Sequence, residues 1–362
     1  LLGDHMAEYP GVEDERRFPH EALASLVADI FCRTGTNRED GDLLSEHLVR
    51  ADLRGIHSHG VMRVPGYAER LGSGAIDPKG EPSIVRDHAG ALVIDAGNSM
   101  GQIGGSFAMH HAIERARTSA VCVATVGHSN HAGAMEAYVR MAVDADMIGI
   151  ATTNALPTMA PWGGIDKLVG LNPLAIGFPA GEERPLVLDV ALGATAHGKM
   201  QIYKQKGAQI PEGWAFDSEG RPTSDIDQAL QGLVQPIGSH KGIGLAMAMG
   251  ILSTLLCDAG YGSESGNMVD GPRTGRDGQF YLALNVAAFE DVSGFKQRMD
   301  KVICEYRSTR LAPGFEQVYV PGELEDTIER RNRREGVPLN DATVQGLTDT
   351  AAKVGADASL LH

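Results

Sequence analysis

Aromatic residues are scarce in this 362-residue chain: Phe, Trp and Tyr together make up 5% of it. Cysteine is scarcer still, with four residues (Cys32, Cys122, Cys257 and Cys304) that lie far apart and form no CxxC pair. That spacing excludes a disulfide framework or a thiolate zinc ribbon. The apolar neighbours of Cys122 predict reduced, buried thiols in a reducing compartment. No apolar run approaches the ~20 residues that a membrane-spanning helix needs. Leu1–Pro10 shows no basic-then-apolar leader pattern, so the expectation is a cytoplasmic protein that does not engage a membrane. Positive charge is also in short supply. With 32 Lys and Arg against 47 Asp and Glu, the formal charge of −15 argues against a broad grip on nucleic acid or on an acidic lipid surface. An anionic cofactor stays compatible with this balance, because local donors decide its binding.

Two nucleotide-binding signatures are missing as well. A dinucleotide fold of the Rossmann type requires G-x-G-x-x-G between a strand and a helix. Gly72-Ser-Gly74 and Gly242-Ile-Gly244 begin the pattern, but Asp77 and Met247 stand where the third glycine belongs. No Walker A loop occurs, and no H-E-x-x-H. Any dinucleotide would therefore bind through another architecture.

What is present is an ordinary globular profile, 43% hydrophobic and 22% charged, in a chain long enough for two or three lobes. Forty-five glycines imply many tight turns and close backbone approaches. Leu23, Leu26, Val27, Ile30 and Phe31 recur at helical spacing, and a second helix is expected from about Arg38 to Leu53. After it comes Arg54-Gly-Ile-His-Ser-His-Gly60, which reads as a helix end followed by a loop. From about Ala91, β-branched runs at Leu92–Ile94, Val121–Val126, Ile148–Thr152, Leu186–Val190 and Phe280–Val286 predict strands of a central sheet. Helices are expected near Ser106–Arg117, Ala132–Val143, Ile243–Leu256 (Met-rich and buried) and Phe295–Tyr306. The charged, helical tail beyond Glu323 packs back on the first lobe or reaches a second subunit.

Four segments could carry chemistry. His57 and His59 flank Ser58, with Arg63 four residues beyond His59. A histidine near its ordinary pKa of about 6.5 can protonate a developing alkoxide, and an arginine fork matches a carboxylate. The alternative is a loop whose histidines cap a helix end. Gly127-His-Ser-Asn-His-Ala-Gly133 follows a strand and precedes a helix, a way of presenting N–H groups to an anion. His57, His59, His128 and His131 could also be imagined as metal ligands, but without a cysteine or H-E-x-x-H among them no metal is expected. Asp189 ends an apolar strand and either orients a histidine or caps the following helix or turn. Gly238-Ser-His-Lys-Gly-Ile-Gly244 opens a helix and offers either a pyrophosphate cradle or a plain tight turn.

Taken in order, A-D-L-R-G-I-H-S-H-G-V-M-R (51–63), G-H-S-N-H-A-G-A (127–134), A-P-W-G-G (160–164), L-N-P-L-A (171–175), L-D-V-A (188–191), G-S-H-K-G (238–242) and V-P-G-E (320–323) resemble the malate/L-lactate dehydrogenase family. The resemblance implies an α/β (mixed α+β), non-Rossmann, sulfolactate dehydrogenase-like fold, with a central mixed sheet and flanking helical lobes. It divides the chain into a helical lobe (12–85 plus 291–362), an NAD(P)-binding sheet domain (86–237 plus 273–290) and a small helical lobe (238–272). It implies a homodimer using NAD or NADP on a small 2-oxo or 2-hydroxy acid of the malate, lactate, sulfolactate or ureidoglycolate type. The alternative substrate is a cyclic imino acid such as Δ1-piperideine-2-carboxylate, and a remoter alternative is a metal-binding protein. Carried over, His59 is the acid/base, supported by Ser58 and Asp189. Arg63 is the carboxylate clamp, and His131 is the competing proton acceptor. His128, Asn154, Asp189, Val190, Ala191, His240, Lys241, Gly242, Pro321, Gly322 and Glu323 match cofactor-contacting segments.

Overall fold

The computed structural model describes Tyr9, residues 11–265 and residues 275–362, and it places the first apolar stripe on the helix His20–Arg33, with all five residues buried. The next helix, Arg38–Leu53, starts where Asn37 accepts the N–H of Asp40, the N-cap bond that satisfies one of the orphan donors of a first turn. Its Leu44 and Leu48 meet the stripe of the first helix in one core. The last long helix, Asp341–Val354, closes that core with Val344, Leu347 and Ala351. The chain end thus packs back on the first lobe. A two-stranded ladder, Arg16–Phe18 against Val337–Leu339, ties the two ends together.

The central sheet has seven strands in the order Ser83–His88, Ala91–Asp95, Val121–Ser129, Asp277–Asn285, Met147–Thr153, Leu174–Phe178 and Leu186–Val190. One neighbouring pair is parallel, Ala91–Asp95 with Val121–Ser129, and the helix Gly101–Ser119 makes the crossover. The other five pairs are antiparallel, so the sheet is mixed and is not a doubly wound dinucleotide fold. All five β-branched runs fall on strands of this sheet, except that Val286 at the end of the last run opens a 3₁₀ turn. Two strands carried too little signal to be expected. Ser83–His88 is an exposed edge rich in polar residues, and Leu174–Phe178 begins directly after the Asn172-Pro173 turn. The crossover helix starts at Gly101, five residues before the expected Ser106; the low helix propensity of Gly101, Gly104 and Gly105 hides that first turn in the sequence. A Cβ on Gly105 would overlap the Tyr281 hydroxyl, so the missing side chain lets the helix lie close on the sheet.

Two expectations need correction. The Met-rich helix, His240–Thr254, is not buried all round: Ile243 and Ala246 enter a third core with Met159, Leu192 and Met200, while Leu245, Met247 and Ile251 face outward. Its sequence is apolar on every side, so periodicity could not tell the covered face from the open one. The cysteines are all free, but only Cys122 is buried: Cys32 and Cys257 are half-buried, and Cys304 is exposed with its thiol on Glu183. The helix Val292–Arg307 packs Ile303 on Ala180 and Val320. Residues 266–272 of the expected small lobe and 273–274 of the expected sheet domain lie outside the described residues. Among the described residues no helix is long and apolar enough to cross a membrane.

Candidate active site

The helix Arg38–Leu53 ends in a glycine cap, with Gly55 left-handed at φ +77° and its N–H on Asp52 O at 3.0 Å, and the chain then turns through two short 3₁₀ segments, His57–His59 and Val61–Arg63. Ile56 N–H donates to Ala51 O at 2.8 Å and His59 N–H to Ile56 O at 2.9 Å, so the loop is held by its own backbone. Within it Ser58 Oγ lies 3.0 Å from His59 Nδ1, and Arg63 Nε donates to Ser58 O at 2.7 Å. The His59 ring stacks on that of His131, with centroids 5.5 Å apart and planes 15° from parallel. The two histidine loops, far apart in sequence, therefore meet, and they bring Ser58, His59, Arg63 and His131 together. A fifth residue was not foreseen. Tyr67, on the helix Val64–Gly72, hydrogen-bonds His131 Nδ1 at 2.5 Å. Its signal was available, since Val64, Tyr67, Ala68 and Leu71 recur at helical spacing.

The electrostatics of the cluster follow from enclosure. Desolvation, with the Arg63 charge second, takes the His59 pKa down to about 3. Desolvation first, then the neighbouring His59, Arg63 and Arg70, holds His131 well below its ordinary value. Burial pushes the Tyr67 hydroxyl up to about 12. Among the described residues no carboxylate pairs with Arg63, whose own pKa is lowered by desolvation. A shielded guanidinium beside two neutral imidazoles lacks a counter-charge, and a carboxylate from outside would supply it.

Ser58 and His59 open onto a cleft of about 460 Å³. One wall is the end of the strand Leu186–Val190, with Asp189 and Ala191; the other is Tyr319–Gly322 with Leu324 and Glu325. Gly322 has φ +89°, in the left-handed region, and a Cβ there would come within 2.9 Å of Val187 O. Asp189 Oδ2 accepts the N–H of Glu136 at 2.8 Å, at the start of the helix Glu136–Asp144. The helix it serves lies upstream in the chain, so its hydrogen bond matches neither a histidine partner nor a cap on the following helix or turn. Among the described residues it makes none to His59 or His131. Burial, with the charges of Glu136 and Glu325 adding to it, raises the Asp189 pKa to about 7. The floor is an ion-pair network that sequence reasoning missed. Arg54, 1% exposed, meets Glu136 (2.7 Å), Asp326 (2.5 Å) and Glu329 (2.7 Å), and Arg140 bridges Glu136 and Asp326. Only the burial of Arg54 marks this network, and the sequence does not show burial.

Mixed apolar and polar walls, a left-handed glycine and adjacency to His59 fit the nicotinamide end of a dinucleotide. Of the expected cofactor residues, Asp189, Ala191, Pro321 and Gly322 line the cleft. Other expected cofactor residues lie outside this lining. His128 pairs with Asp95 at 2.9 Å. Asn154 is a buried clip that donates to Gly260 O and accepts from Gly278 N–H. His240 meets the Trp162 ring at the start of the Met-rich helix, which also carries Lys241 and Gly242. Val190 packs on the third core, and Glu323 turns to Arg307. Among the described residues no three His, Cys, Asp or Glu side chains converge to hold a metal. His57 instead meets Asp52, at 2.7 Å.

A mixed sheet, a cleft beside two stacked imidazoles and the nearby Arg63 and Arg70 charges set this site apart from a Rossmann dinucleotide fold. Residues 18–348 match the malate/L-lactate dehydrogenase family. The chain is 33% identical over 355 residues to malate dehydrogenase of Pyrococcus abyssi, covering 95% of this chain and 97% of that one. It is also 33% identical over 336 residues to the NAD(+) ureidoglycolate dehydrogenase of Escherichia coli, covering 92% and 96%. The solved sulfolactate dehydrogenase of Methanocaldococcus jannaschii superposes with a TM-score of 0.88 at 33% identity, covering 95% and 98%. The chain belongs to the malate/L-lactate dehydrogenase family and is an NAD(P)-dependent 2-hydroxy acid dehydrogenase of it.

Proposed function

We propose that the chain interconverts a small 2-oxo acid and its 2-hydroxy acid, with Arg63 holding the substrate carboxylate and His59 as the acid/base. The observation that carries this reading is the Arg63 guanidinium, unpaired with any described carboxylate, beside the stacked His59 and His131. A two-pronged hold on the carboxylate would fix which face of the carbonyl is presented, and orientation supplies much of the rate in such reactions. Ala191, Pro321 and Gly322 would hold a reduced nicotinamide in the cleft next to His59, where it would supply the hydride. The protein's part is the proton. Free His59 is neutral, partly because of the Arg63 charge. A carboxylate arriving at Arg63 offsets that charge and raises the His59 pKa towards the range in which it can protonate the carbonyl oxygen. Ser58 Oγ on His59 Nδ1 holds the ring, and Tyr67 does the same for His131.

The same reading takes the chain as a cytoplasmic homodimer. Four free cysteines support the compartment. Met247, Ile251 and Leu255, exposed at i, i+4 and i+8 along and just past one helix, with Leu245 on the far edge of the open side, are an apolar face of the kind that a second copy covers. Light scattering should then give twice the chain mass.

The activity test is oxidation of NADH and of NADPH with pyruvate, oxaloacetate, sulfopyruvate and piperideine-2-carboxylate. Turnover with a 2-oxo acid supports the reading and selects the cofactor. Turnover with the cyclic imino acid alone transfers the site to imine reduction, and no turnover with any of them sinks it.

A further inference from the structure

Asp52, on the last turn of the helix Arg38–Leu53, is 1% exposed and does not line the cleft. Its carboxylate nevertheless holds the active-site loop at two points. Oδ1 is 2.7 Å from His57 Nδ1, and Oδ2 accepts the Val61 N–H at 2.6 Å. Those two residues bracket Ser58, His59 and Gly60, so both ends of the tripeptide bearing the acid/base are pinned to one side chain. Gly60 lies against the same group. Its φ of −89° suits any residue, but a Cβ would overlap the Asp52 carboxyl, so glycine is needed there for space. Among the described residues His57 Nε2 has no hydrogen-bond partner, so Asp52 is the hydrogen-bonding group that fixes the His57 ring, which also packs edge-on against Tyr9 with centroids 5.3 Å apart. Burial pushes the Asp52 pKa up in spite of both hydrogen bonds, so keeping a carboxyl here is costly.

We propose that Asp52 is the positioning residue of the acid/base: through His57 and Val61 it fixes the turn that aims His59 at His131 and Arg63. This rests on the reading of His59 given above. The rival is a carboxylate that only stabilises the fold.

The test compares Asp52→Asn, Asp52→Ala, Gly60→Ala and the Asp52→Ala/Gly60→Ala double variant with wild type. Displacement of the ring by ~1 Å should lower kcat about 10²-fold. Cofactor affinity should stay within about twofold, and the solvent deuterium isotope effect on kcat should rise as proton transfer becomes limiting. Gly60→Ala strains the same contact from the opposite side and should show the same signature; it carries the test should Asp52→Asn fail to fold. With the carboxyl removed the overlap disappears, so the double variant should be no slower than Asp52→Ala. A lowered Tm with wild-type kcat and isotope effect per folded enzyme would overturn the proposal, as would fully additive losses in the cycle. Imidazole ¹⁵N spectra of the substrate-free protein give a readout that needs no turnover. Shifted His59 and His131 resonances in Asp52→Asn support the proposal, and unchanged ones overturn it. Wild type inactive on every acid would instead remove the reductase reading while leaving this result standing.

Discussion

The two histidine loops divide their work in the same way and differ in depth. In each, one ring turns to an aspartate (His57 to Asp52, His128 to Asp95) and the other faces across the site, where His59 and His131 stack. The His57–Asp52 pair is buried, with side chains 8% and 2% exposed. The His128–Asp95 pair is open, at 55% and 45%. Chemically similar contacts therefore have different consequences. In the buried pair no water can replace either partner, so each holds the other in place. In the open pair solvent competes for both groups and screens their charges. A histidine beside an aspartate is thus informative only once its burial is known.

The rings that face each other provide the largest expected effect. His59→Ala should cut kcat by about 10²–10⁴-fold, the usual worth of a positioned acid or base. His131→Ala, assayed beside it, sharpens the comparison. A small loss there leaves His131 as support for the first ring. A large loss with His59→Ala near normal moves the acid/base role to His131. Next in size is Arg63→Lys, which keeps the charge and removes the planar fork. Loss of ~1.5–3 kcal/mol of charge-assisted bonding should raise the KM for the acid roughly 10–100-fold, with cofactor KM unchanged. An unchanged KM for the acid would mean that the carboxylate binds elsewhere.

The pH profile tests the enclosure of these rings. A base whose pKa is lowered to about 3 stays deprotonated above that value, so kcat/KM for hydroxy acid oxidation should be flat from pH 5 to pH 8. A fall below about pH 6.5 would show that His59 keeps its ordinary pKa. The same depression acts on stability. Because folded His59 resists a proton that the unfolded chain accepts near 6.5, its contribution is intact above that pH and is lost as pH falls towards 3. Asp189 and Asp277, both raised to about 7, act in the opposite sense, and their contribution is lost as pH rises through 7.

Most of the fold's long elements were legible because their signals are local. The helix His20–Arg33 declares itself by periodicity, and the strand Val121–Ser129 by its β-branched run. The histidine loops were legible as chemistry because titratable residues clustered beside glycines. Partner choice was not legible. Asp52 is one more polar residue of a helix until the loop folds back over it. Asp189 had two reasonable roles, and its hydrogen bond goes instead to Glu136, 53 residues away in sequence. The outward face of His240–Thr254 was hidden for the opposite reason, since a helix apolar on every side gives no sign of which side is covered.

The smallest expected effect bears on the open pair. His128 was grouped with the cofactor-contacting residues by its place in Gly127–Gly133, yet it lies outside the cleft lining and holds a left-handed backbone at φ +49°. Among the described residues its side chain meets Asp95, an exposed carboxylate that also accepts the Gly97 N–H. His128→Asn suits that backbone, because asparagine tolerates the left-handed region. It should leave the dissociation constants for NADH and NADPH within about twofold of wild type and Tm unmoved, as expected for a screened surface pair. A tenfold loss of cofactor affinity would put the far end of the dinucleotide against this loop. The contrast between the buried and the open pair would then reflect a missing ligand and not solvent exposure.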